Sequence, residues 1–170
     1  MRSSSPRFFA ARSLVAGALA FLAAAAFSRP VPGEAAPLCP AAPGVQADAS
    51  GPDLTGSWRS LRESCRGKGK QRRCHLNGTF VVRNAGDQGA RSSALCFFLS
   101  EDTTLDPGDR LLKTVHIRPL RSGQRRVSVF TIRLPRAVSA AGKYVLGVVD
   151  ATNVVAETDE TNNVQDRGPL

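Results

Sequence analysis

The stretch Cys74–Gly86, "CHLNGTFVVRNAG", decides the fold. Leu76, Phe80 and Val82 fall on one side at period two, the spacing of a half-buried strand. The same pattern recurs on both sides of it. Upstream, "DLTGSWRSLRES" offers Leu54, Trp58 and Leu61 as apolar contacts. Downstream, "SALCFFLSED" sets Leu95, Phe97 and Leu99 against Cys96 and Phe98, which places Cys96 on the less buried side. "DRLLKTVHIRPL" follows, then "RRVSVFTIRLP" with Phe130, Ile132 and Leu134 on one face, then "GKYVLGVVDA" with Tyr144, Leu146 and Val148 together. A short "NVVAET" closes a set of about seven strands. Gly, Pro, Asn and Asp clusters separate these runs, and no helical period appears beyond the N-terminus. The chain from Asp53 onward therefore reads as an all-β sandwich or barrel.

The N-terminus follows another grammar. Arg2, Arg7 and Arg12 precede an apolar run from Leu14 to Phe27, and small residues follow it. This is the form of a secretory signal, and the run is shorter than the roughly 18 to 20 residues a membrane-spanning helix needs. Residues 1–36 are expected as the signal, with cleavage after Ala24 to Ala26 or after Ala35. Residues 37–52 are expected as a Pro/Ala-rich linker, 53–165 as one domain and 166–170 as a tail. Removing the signal takes away four arginines and one glutamate, so the net charge falls from +9 to +6. The charge is uneven: Arg59–Arg73 is dense in cations around Glu63 alone, whereas "AETDETNNVQD" is acidic. Local attraction for anionic surfaces follows from this, rather than wholesale nucleic-acid binding.

Against this background "VVRNAGDQGA", "CFFLSEDTTLDPGDRLLKTVHI" and "LPRAVSAAGKYVLGVVDATNVVAETDETNNV" carry a family resemblance. The chain resembles the CARDB family, the cell-adhesion-related domains of bacterial exported proteins, from about Asp53 to Val164. The resemblance implies an immunoglobulin-like antiparallel β-sandwich of seven strands on a secreted, periplasmic or cell-surface protein. Two departures stand out. The domain is expected to stand alone rather than in a tandem array, and a cysteine-bounded basic loop, "CRGKGKQRRC", lies between its first two strands.

Four cysteines in an exported chain read first as disulfides. Cys65 and Cys74 bracket eight residues and are expected to pair. Cys96 either pairs with Cys39, pinning the linker, or remains free or intermolecular. A zinc site using these thiolates with His75 and His116 fits no recognised spacing. Between the paired cysteines, Arg66, Lys68, Lys70, Arg72 and Arg73 form a candidate surface for an anionic partner, such as an acidic polysaccharide or protein. The loop has no aromatic side chain on which bases would stack, which disfavours sequence-specific nucleic-acid contact.

The segment "SEDTTLDPGDRLL", Ser100–Leu112, poses a calcium question. As an EF-hand it fails, because Pro107 stands where glycine is required and Lys113 where a bidentate glutamate is required. A looser calcium site on Asp102, Asp106 and Asp109 is the alternative to a plain turn built on "LDPGD". Glu157, Asp159 and Glu160, with Asn162 and Asn163, read as a solvated acidic strand edge unless they meet that first cluster. Trp58 and Tyr144 read as core, Tyr144 as a tyrosine-corner analogue. No nucleophile elbow, helical metal motif or dinucleotide turn is present, so no catalytic residue is assigned. The expected function is that of a non-enzymatic, exported binding or adhesion module. The alternatives are a structural or display module without its own ligand and, as a minor one, a calcium-stabilised adhesion domain. No cofactor other than that calcium is expected.

Overall fold

Strand β1 (Leu54–Arg66) and strand β2 (Arg73–Asn84) form a long antiparallel hairpin, registered from Leu54 opposite Asn84 to Arg66 opposite Arg73. The computed structural model describes residues 50–170; the expected signal and nearly all of the expected linker lie outside the described residues. A β-bulge between Trp58 and Ser60 resolves an irregularity of the sequence pattern. It inserts one residue, so Leu61 returns to the inward face that Leu54 and Trp58 already occupy.

Strand β3 (Ser93–Ser100) crosses to a second sheet, where β4 (Arg110–Ile117) pairs with it. Strand β5 (Arg125–Arg133) returns to the other edge of β2. Strands β6 (Tyr144–Val148) and β7 (Val164–Arg167) then complete the second sheet. The result is two antiparallel layers, β1-β2-β5 and β4-β3-β6-β7, with the immunoglobulin-like order of a sandwich.

Between the layers lie Leu54, Leu76, Phe80 and Val82 from the first sheet and Leu95, Phe97, Val145 and Val149 around the second. Trp58 packs edge-on against Phe80 at 4.8 Å and reaches Phe97 at 5.4 Å, and its indole N–H donates to the Gln165 carbonyl. The Phe80 ring also lies over Gly147, where a Cβ would sit 2.7 Å from Cε2. Glycine on β6 is what allows the ring between the layers.

Four details differ from the sequence reading. "NVVAET" is a loop, and the seventh strand comes later, at Val164–Arg167. Asp150 and Asn153 take left-handed φ values of 42° and 47°, and the Asp150 carboxylate accepts from Val155 N–H, so the chain turns there instead of extending. Cys96 does not face solvent: it is fully buried with Phe98, Leu146 and Val148 in a second apolar cluster outside the β3–β6 pair. Leu105, Leu111 and Tyr144 pack on that cluster, so Tyr144 joins it rather than the central core. The ladder also runs into the expected tail, where Leu170 exchanges backbone hydrogen bonds with Gly142 and Lys143.

Candidate functional site

The β1–β2 hairpin ends in the basic loop. Cys65 and Cys74 face each other in register with Cα atoms 4.0 Å apart and are joined by a disulfide. Gly67 and Gly69, at φ 81° and 52°, turn the chain within the closed ring, and Gly69–Gln71 makes one 3-10 turn. Arg66, Lys68, Lys70 and Arg72 are exposed and Arg73 is half-buried. Among the described residues the one ion pair is Lys143 with Glu101, so none of these five cations is neutralised by an acidic neighbour. The nearest acid in sequence, Glu63, is engaged elsewhere: its carboxylate accepts from Ala140 N–H at 2.8 Å and from the Ser139 hydroxyl at 3.1 Å. Among the described residues, Glu63, Cys65 and Cys74 are the one set of three or more His, Cys, Asp or Glu side chains whose ligand atoms all lie within 4.8 Å of one another. The disulfide removes both sulfurs from that role. His75 and His116 lie in different sheets and do not meet. Cys96 is disulfide-bonded, and the expected pairing with Cys39 lies outside the described residues.

At the β3–β4 turn the three aspartates cap their own backbone. Asp102 accepts from Thr104 N–H at 2.7 Å, Asp106 from Gly108 N–H at 2.6 Å, and Asp109 from Asp106 N–H at 3.0 Å. These are the hydrogen bonds of Asx-type turns.

The acidic loop between β6 and β7 lies at the opposite end of the sandwich. Ser100 pairs with Tyr144 and Cys96 with Val148, so Asp102–Asp109 leaves one end of β3 and Asp150 leaves β6 at the other. The two carboxylate groups are separated by about 25 Å, the length of the eight-residue β3 strand. They do not meet. Nor is the loop a solvated edge, because Glu157 is 0% exposed and Asp150 only 4%. Burial, opposed by the Asn163 side chain and reinforced by Asp150, Glu160 and Asp53, pushes the Glu157 carboxyl up to about 8. Burial also raises Asp150, against hydrogen bonds from Val155 and Val154. Asp159 moves the other way, lowered by the hydroxyl and N–H of Thr161.

Both oxygens of Glu157 lack a hydrogen-bond partner, as do Asp150 Oδ1, Asn162 Oδ1 and Asn163 Oδ1. Asn162 donates its amide N–H to Asp53 at 2.8 Å, and the Asn163 amide donates to Glu160 at 3.5 Å while also lying beside Glu157. Sequence reasoning missed this buried set. Its one signal was an apolar Val155 two residues before Glu157 inside an otherwise polar run.

The family model for CARDB matches residues 60–167. The chain belongs to the CARDB family. As a CARDB domain it is an immunoglobulin-like, adhesion-related module of a non-catalytic type, from a family of extracellular and cell-surface domains. No curated protein matches this sequence. Among solved structures it is similar to the CARDB domain of the PF1109 protein from Pyrococcus furiosus, crystallised in complex with di-metal ions. Identity there is 20%, with 71% of this chain and 93% of that chain covered, at a TM-score of 0.45. The solution structure of that domain gives 21% identity, coverage of 69% and 92%, and a TM-score of 0.45. A β-glucosidase from Listeria innocua matches at 14% identity and a TM-score of 0.41; 68% of this chain covers only 16% of that one. Among the described residues no helix of this CARDB domain is long and apolar enough to cross a membrane.

Proposed function

We infer that this CARDB domain acts outside the cell as a non-enzymatic binding module that meets an anionic partner, an acidic polysaccharide or protein surface, through its β1–β2 hairpin tip. One observation carries the reading: Arg66, Lys68, Lys70, Arg72 and Arg73 crowd a disulfide-closed tip, and among the described residues no acidic side chain pairs with any of them. Closely spaced, uncompensated cations on a constrained loop raise the local potential and steer anions toward it. Rigidity lowers the ordering cost of binding. Export rests on the N-terminal segment, and sequencing the N-terminus of the protein recovered outside the cell tests it.

Binding to immobilised heparin, used as a model anionic polymer, tests the site. The parent protein is expected to elute at a salt concentration that falls sharply when all five cations are replaced by glutamine. Equal elution of parent and variant would leave the alternative, a display module whose basic tip has no ligand.

A further inference from the structure

We propose that the loop joining β6 to β7 is a calcium-binding site, with the carboxylates of Asp150 and Glu157 and the amide carbonyls of Asn162 and Asn163 as its ligands. The site is independent of the basic hairpin tip and of the Asp102–Asp109 turn.

The donor set argues for a hard cation. Five side-chain oxygens, Asp150 Oδ1, both of Glu157, Asn162 Oδ1 and Asn163 Oδ1, are buried without a partner. With both carboxyls ionised they are all acceptors. A buried hydrogen-bond network needs donors in comparable number, and an unpaired buried carboxylate is costly. No lysine or arginine answers Glu157. Arg91, the cation that acts on Asp150, is exposed and donates to the Val154 carbonyl.

The surrounding contacts orient these oxygens. Asp53 and Glu160 hold the amide nitrogens of Asn162 and Asn163, which leaves each carbonyl oxygen unused. Asp150 spends Oδ2 on Val155 N–H and keeps Oδ1, while Glu160 takes the Glu157 N–H and so folds that residue inward. Val149 N–H to Asn163 and Thr158 N–H to Pro52 close the base of the loop.

The chemistry selects the ion. Calcium takes roughly six to eight oxygen ligands in flexible geometry, and carboxylate plus amide carbonyl is its usual set. Magnesium demands a stricter octahedron and keeps its waters, and zinc favours nitrogen and sulfur. The stretch from Val149 to Asn163 contains neither histidine nor cysteine.

The test is calcium titration of chelator-stripped protein, followed by isothermal calorimetry and by thermal melting. Binding is expected near a dissociation constant of about 0.1 mM, within the range of extracellular modules, with a melting temperature about 5 °C higher at millimolar calcium. Magnesium should give a smaller shift. Glu157→Gln and Asp150→Asn, which keep shape and remove charge, should lose the heat and the shift. Asp102→Asn/Asp106→Asn/Asp109→Asn should retain both. Absence of calcium binding by the parent protein overturns the proposal without reference to any variant. A response that survives Glu157→Gln, or that disappears only in the triple turn variant, overturns it as well.

Discussion

Glu157 is a carboxylate placed where water does not reach, and that position has a measurable cost. In calcium-free protein its folded-state carboxyl lies at about 8, above the ordinary value of 4.5, and Asp150 is shifted in the same direction. The folded state therefore holds more protons than the unfolded state between those values, and stability falls as pH rises through the window. Asp53, Asp150 and Glu160 face Glu157 and act in the same sense, since each adds negative charge. Melting in chelator should give a lower midpoint at pH 8 than at pH 5, and Glu157→Gln should flatten most of that slope. A flat profile in the parent protein would contradict the buried state of this group. The residue was hidden in the sequence because "AETDETNN" is as polar as any exposed loop. Its burial arises from neighbours about 100 residues away, such as Asp53.

At the scale of elements, the strands were legible and the closing strand was not. Period-two alternation located β1 through β6, because each strand has one face turned to the shared core. Val164–Arg167 has no such alternation: it is a short edge strand held by its ladder to β6. The hairpin tip was legible too, since two cysteines nine positions apart across a turn can face each other in register. Its disulfide closes a small ring in the unfolded chain, and removing it should lower stability by about 2 to 3 kcal/mol. Chemical denaturation of Cys65→Ala/Cys74→Ala checks this figure. Hydrogen exchange should quicken at Gln71 and Arg72, whose N–H groups bond within the tip.

At the scale of the molecule, the sandwich keeps the two proposed sites apart. The 13-residue β1 strand runs from Leu54, next to Asp53 beside the acidic loop, to Arg66 at the basic tip, a span of about 40 Å. Several Debye lengths at physiological salt separate them, so charge at one end is screened from the other. Calcium should therefore raise the melting temperature without moving the salt concentration at which the protein leaves heparin. A matched shift in both would show coupling through the sheets. The sequence by itself determined the layered all-β fold, the family and the disulfide-closed basic loop, because alternation, turn residues and cysteine spacing are local properties of the chain. Only the tertiary structure decided which of two acidic segments is buried, and that they stand at opposite ends. Burial and separation depend on how β3 and β6 pair and on where β1 begins, which no stretch of neighbouring residues encodes.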